Sequence, residues 1–265
     1  MNETTPKPIT YSHSKLEIAR QCMLKFKYQY VDKLPGKEED RSAADFGEVC
    51  HFIIEHYKGG GKEELLAHYH QIVPAKIILS DKYKAKIPVA LKNIHDHWKQ
   101  VINQPGHVKT EPEQELTVDF RDGLKLTGKI DLLIEYTDNK WKVTDYKTSK
   151  SLKYANHRDQ LAMYMLLLHL KWNIPYDRID TDVVYLALDE FEKDGTPVLN
   201  EGYENICKTY KLDETDVECL ITEINMIHTK LEKNKDTNQW KANPNKLCNW
   251  CKYKSICPAM KSEVL

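Results

Sequence analysis

Apolar positions along the chain recur first with helical and then with strand periodicity. Leu16, Ala19, Met23 and Phe26 share one helical face, which predicts a helix over 10–33 with Ser12 or Ser14 as its N-cap. Phe46, Val49, Ile53 and Ile54 mark a second helix, entered after the charged loop 35–41 and ended by the triple glycine 59–61. Helical patterning continues over 62–104, where Pro74 and Pro88 predict breaks into shorter pieces. From 113 the period changes to two. Residues 113–120 alternate as a strand, 121–123 form a turn, and two more strands occupy 128–147 around a turn at 136–140. A strongly apolar helix follows, carrying Leu161, Met163 and Met165 to Leu168. Then come a buried strand at 180–188, an acidic turn-rich stretch at 189–204, and an amphipathic helix over 213–233 with Val217, Leu220, Ile224, Ile227 and Leu231 inward. This order predicts one α/β domain over 1–265. Helices flank a mixed sheet, and 62–104 is a helical insertion packed on it.

Composition narrows the class. At 265 residues the chain has length for one sizeable core, and 30% charged with 41% hydrophobic residues fits a soluble globular protein. No apolar run approaches the roughly 18 residues that cross a bilayer, so no membrane partner is expected. The first residues lack the charged-then-apolar layout of a secretory signal, which places the protein inside the cell. In a reducing compartment, clustered cysteines among the seven present point to metal rather than to disulfides. A net charge of −1 does not advertise nucleic-acid binding, so any such surface must be local.

The candidate chemistry concentrates in 128–147. On the second of its strands Trp141, Val143, Asp145 and Lys147 are two apart and share a face, while Asp131 sits inside the apolar run of the first strand. A hairpin would bring two carboxylates and one ammonium group to one sheet edge. Carboxylates that close repel, and a divalent cation binding both removes the conflict. The lysine can then stabilise charge developing on a phosphate. Glu115, at the start of the 113–120 strand, is a further acid for this place, although no spacing rule selects it over Glu111 or Glu113.

The sequence G-K-I-D at 128–131 and D-Y-K-T at 145–148 resembles the PD-(D/E)XK nuclease superfamily, and most of all its RecB-type branch. Two further patterns agree in order: Gly47-x-x-x-His51 on the second helix, and Gln160-x-x-x-Tyr164 on the apolar helix. The resemblance implies that His51, Asp131 and Asp145 bind Mg²⁺ or Mn²⁺, with the carbonyl of Tyr146 as another ligand. It makes Lys147 catalytic and places Gln160 and Tyr164 beside the site, in contact with substrate. The implied activity is hydrolysis of DNA. With no G-x-x-x-x-G-K-[ST] loop for ATP, single-stranded ends or flaps are the expected substrates, worked on alone or behind a helicase or recombination partner. A non-catalytic DNA-binding module and an RNA nuclease stay open as alternatives.

The C-terminal stretch 245–260 carries Cys248, Cys251 and Cys257 as C-x2-C-x5-C, followed by Pro258. Three thiolates need a fourth, and Cys22 is the candidate; four suit zinc or [4Fe–4S] alike. One early cysteine plus this C-terminal motif is similar to the iron–sulfur staple of AddB and of CRISPR-associated adaptation nucleases. That resemblance implies a [4Fe–4S] cluster joining the N- and C-terminal segments. Both segments are basic: Arg20, Lys25, Lys27 and Lys33 alternate with Phe26, Tyr28 and Tyr30, a composition that suits phosphates and stacked bases. Cys50, Cys207 and Cys219 have no ligand spacing and are expected to be structural.

Overall fold

A computed structural model of the chain describes residues 9–37, 40–73, 76–121, 123–149, 157–187, 190–191, 197–198 and 206–261. In chain order the elements are β1 (Ile9–Tyr11), α1 (His13–Gln21), α2 (Met23–Phe26), α3 (Ser42–His56), α4 (Lys62–Ile72), α5 (Asp81–Lys84) and α6 (Ile87–Ile102). There follow β2 (His107–Arg121), β3 (Leu124–Tyr136), β4 (Lys140–Lys147), α7 (Arg158–Trp172), β5 (Ile179–Tyr185), the short pair β6 (Glu190–Phe191) and β7 (Pro197–Val198), β8 (Cys207–Tyr210), α8 (Glu214–Thr237) and α9 (Pro258–Lys261). Pro74, Asp122, Lys150 and Lys153 lie outside the described residues, as does most of the acidic stretch 189–204.

The central sheet is mixed. Its order is β1-β3-β4-β5-β8, with β2 also paired to β3. β3 and β4 are antiparallel, Leu132 facing Thr144 and Leu133 facing Val143, and Asp138 and Asn139 take positive φ in the tight turn between them. β4 and β5 run parallel with Asp145 facing Val183, which requires the crossover that α7 supplies. β5 and β8 are antiparallel.

The chain forms two compact units. The larger takes Arg41–Asp119 and Thr127–Val217. One face of its sheet offers Leu132, Ile134, Tyr146 and Val184 to a core built with α3, α4 and α6, so the 62–104 helices do pack on the sheet. Pro88 stands in the first turn of α6, where its missing N–H has no partner to lose, so it starts a helix rather than interrupting one. Within this core the fully buried His97 Nδ1 lies 2.5 Å from the Tyr146 hydroxyl. The alternate residues Leu133, Val143 and Asp145 point to the other face, toward α7. Every residue of α7 from Leu161 to Leu168 is buried, which is why its pattern is apolar all round.

The smaller unit takes the chain up to Asp40, Phe120–Leu126 and Glu218 onward. Here β1 pairs in parallel with the first residues of β3, Ile9 facing Leu124. The single helix expected over 10–33 is interrupted. Ser12 caps α1, but Cys22 adopts an extended backbone, ends that helix and opens α2, after which the chain closes one wider turn at Lys27–Val31. The two terminal segments are tied by hydrogen bonds: Leu24 N–H donates to Lys241 O at 3.3 Å, Lys37 N–H to Lys252 O at 3.0 Å, and Asn243 Nδ2 to Gln21 O at 3.0 Å. The Tyr253 hydroxyl donates to Leu34 O at 3.2 Å, and its ring meets Tyr28 edge-on.

Candidate active site

The site lies in the larger unit, where the β3–β4 ladder ends. The ladder's last rung pairs Leu132 with Thr144, which sets Asp131 and Asp145 one step beyond it and on one face. Asp131 ends the ladder by accepting the Tyr146 N–H on Oδ2 at 2.6 Å, so a carboxylate replaces a strand carbonyl. Burial and the nearby Asp145 together raise the Asp131 carboxyl above its usual range, the mark of two acids sharing little space.

His51, half-buried on α3, brings Nδ1 to 2.8 Å from Glu113 Oε1 and 3.5 Å from Asp131 Oδ1. Burial alone would depress this imidazole, but the Glu113 hydrogen bond and the charges of Asp131, Glu113 and Asp145 outweigh it and raise it to about 9. The acid in the site is thus Glu113. Glu115 is exposed and takes no part. Glu113 is reached through a left-handed backbone, φ 52°, just after Pro112. That kink breaks the alternation and turns an odd-numbered side chain inward on a strand whose even positions, Leu116 and Val118, are buried. A proline inside an otherwise alternating strand was the available signal, since it marks a bulge. Lys129 Nζ, also absent from the sequence reading, holds the second oxygen of Glu113 at 2.6 Å. Burial favours the neutral Glu113 acid, yet bonds from His51 and Lys129 hold its carboxyl below the ordinary value.

Lys147 Nζ lies 2.7 Å from Asp145 Oδ2 and donates to Gln160 Oε1 at 3.0 Å. Gln160 Nε2 in turn reaches Asp145 Oδ1 and the Tyr164 hydroxyl, each at 2.8 Å, and that hydroxyl donates to Lys129 O at 2.9 Å. One chain of bonds therefore runs from β4 through α7 to β3. Asp145 is 1% exposed, and the Lys147 contact to Oδ2 is an ion pair without hydrogen-bond alignment, which leaves that buried oxygen without an aligned donor. Tyr164 is buried, so its hydroxyl braces Gln160 from within.

The donor set fits a divalent cation. Ligand atoms of His51, Glu113 and Asp131 all lie within 4.8 Å of one another, and Asp145 adds the buried oxygen just described. One imidazole nitrogen among carboxylate oxygens suits Mg²⁺ or Mn²⁺.

In the smaller unit Cys22, Cys248, Cys251 and Cys257 line one cavity, and none of the four is in a disulfide. Two of the sulfurs accept backbone N–H groups: Lys25 donates to Cys22 Sγ and Asn245 to Cys248 Sγ, both at 3.4 Å. The other three cysteines stand elsewhere. Cys50 is buried in the larger core, which pushes its thiol up to about 12; Cys207 faces Asp182; Cys219 is exposed.

Among the described residues no helix is long and apolar enough to cross a membrane. No curated protein matches the chain. Among solved structures, a protein from Eubacterium rectale named as a candidate exonuclease aligns at TM-score 0.54 and 12% identity, over 96% of this chain and 88% of that one. The protein SSO0001 aligns at TM-score 0.42 and 17% identity, over 97% and 88%. The model of the PD-(D/E)XK nuclease superfamily matches residues 10–258. With nearly its whole length matched, and paired strand-end acids followed by a lysine, the chain belongs to the PD-(D/E)XK nuclease superfamily.

Proposed function

We propose that this chain is a Mg²⁺- or Mn²⁺-dependent deoxyribonuclease acting on single-stranded ends or flaps, of the RecB-type branch, with a [4Fe–4S] cluster on its four clustered cysteines. The observation that carries the catalytic half is the convergence of His51, Glu113 and Asp131 beside the Asp145–Lys147 pair. Exonucleolytic action is the mode we favour.

His51, Glu113, Asp131 and Asp145 would hold the cation, with the Tyr146 carbonyl on the same strand end. When bound there, it lowers the pKa of water and polarises the phosphate. The chain supplies the rest. Lys147, held by Asp145 and Gln160, keeps an ammonium group where charge develops on the phosphate oxygens. Gln160 fixes the Asp145 rotamer through Oδ1, so Oδ2, which lacks an aligned donor, is the oxygen that would help hold the cation. Glu113 orients the imidazole of His51 and is itself fixed by Lys129.

The cluster reading rests on four thiols around one cavity, two of them accepting backbone N–H groups. Four thiolates would suit zinc or a cluster alike, and the likeness of the cysteine motif to that of iron–sulfur nucleases favours iron. Unpaired bases are favoured by Trp250, which is 75% exposed between Cys248 and Cys251 and offers a stacking face.

End-labelled linear and circular single-stranded DNA, incubated with Mg²⁺ or Mn²⁺, test the reading. The linear strand should be degraded from an end and the circle spared, and Asp145→Ala should abolish degradation. Cleavage by pure Asp145→Ala protein would refute the site. Degradation of RNA alone would refute the substrate.

A further inference from the structure

The smaller unit contains a cleft of about 500 Å³ that shares no residue with the His51–Glu113–Asp131 site. Its walls come from α1, the end of α8 and the segment that follows. Lys230 and Lys233 are three apart on α8 and so project from one face, and Lys241 stands in the segment after the helix. No Asp or Glu lines the cleft among the described residues. The one other cation, Arg20, is engaged by Glu223, whereas the ammonium groups of Lys230, Lys233 and Lys241 have no ion-pair partner among the described residues and are exposed. Asn234, Thr237 and Gln239 add neutral hydrogen-bonding groups without opposing charge.

The cleft is built rather than incidental. Its far wall, 241–243, is tied to the N-terminal helices by Leu24 N–H to Lys241 O and by Asn243 to Gln21 O. Cys22, Ala242 and Asn243 line both this cleft and the cysteine cavity, so the two share a partition. A trough with three uncompensated cations and a polar floor is suited to a line of phosphodiester groups, because each cation releases condensed counterions from the strand it binds.

We propose that this cleft holds the phosphodiester backbone of a single nucleic-acid strand, an inference that rests on the nuclease reading. It makes α8 a binding element, although its sequence reads only as an amphipathic packing helix.

Lys230→Gln/Lys233→Gln protein tests it, measured by fluorescence anisotropy with matched DNA and RNA oligonucleotides in EDTA. The double variant should bind the strand at least tenfold more weakly at 0.1 M salt. Its slope of log affinity against log salt should fall by about 1.4, two contacts at about 0.7 each for single strands. A control that removes two exposed charges elsewhere, Lys62→Gln/Lys99→Gln, should bind as the wild type does. Loss on both DNA and RNA supports a backbone contact, and loss on one alone supports it for that strand. Unchanged binding by the double variant, or an equal loss in the control, overturns the proposal. Binding without metal is independent of cleavage, so a wild type that binds but does not cut would sink the catalytic reading and leave this one standing.

Discussion

The ring of Tyr164 lies directly against Gly128: a Cβ added to the glycine would come within 3.3 Å of Tyr164 Cε1 and 2.7 Å of Leu167 Cδ1. β3 and α7 therefore approach as closely as backbone permits. The Tyr164 hydroxyl can reach Lys129 O only because of that approach. The glycine of the G-K-I-D stretch thus positions the bond chain that ends on Asp145.

Gly128→Ala should destabilise the fold by about 1–3 kcal/mol through overpacking, read from urea unfolding. Activity should fall further than stability explains, because displacing α7 loosens Gln160. Since the nearest atom is the tip of a side chain, Leu167→Val in the same protein should recover part of the stability. Additive losses in this double-mutant cycle would show that the contact is not shared.

Glu113→Gln and Glu115→Gln separate the acid that faces His51 from the one sequence order offered. The first should weaken Mn²⁺ binding about 10- to 100-fold, the range for a lost metal-site carboxylate or its support. The second should change affinity less than twofold, since Glu115 is exposed. Titration calorimetry decides, and equal affinities for wild type and Glu113→Gln would remove Glu113 from the site.

The difference between these two glutamates shows what the sequence made legible. Asp131, Asp145 and Lys147 were readable because strand alternation fixes their face and because carboxylates inside apolar runs stand out. Gln160 entered through the resemblance of its Q-x-x-x-Y pattern, since helical spacing to Tyr164 gives only a shared face. Glu113 was hidden because a left-handed kink reverses the alternation that pattern reading relies on, and Lys129 because it is paired only through Glu113. The break at Cys22 was hidden for a related reason: apolar spacing continues across it, while the backbone turns extended to place the sulfur.

His97 gives the fold a pH dependence. Burial, only partly offset by Asp182, pushes its imidazole down to about 4 from an ordinary 6.5. Between those values the unfolded chain binds a proton that the native core refuses. Stability should therefore decline as pH falls from about 6.5 and level off near 4, by up to about 3 kcal/mol. His97→Gln, which keeps a hydrogen-bonding group near the Tyr146 hydroxyl, should flatten that part of the profile while lowering stability at pH 8. Urea midpoints measured from pH 8 to pH 4 test it, and an unchanged slope in the variant would assign the acid sensitivity to other groups.

Cys22 and Cys248 close a loop of about 226 residues if one centre joins them, and restricting so long a loop removes much unfolded-state entropy. A structural metal site also adds folding free energy directly. The proposed cluster therefore predicts colour and stability together. Anaerobically purified protein should be brown, with about four irons per chain. Serine at any one of Cys22, Cys248, Cys251 or Cys257 should bleach it and lower its melting temperature by several degrees. Serine at Cys50, Cys207 or Cys219 should leave the colour unchanged, because none of these lines the cavity. The hydrogen bonds already tying 21–24 to 241–243 predict a graded outcome rather than full unfolding: the bleached variants should stay folded at low temperature. One zinc in a colourless protein would keep the centre and refute iron. Colour that survives Cys22→Ser would show that the C-terminal motif holds its metal without the N-terminal segment.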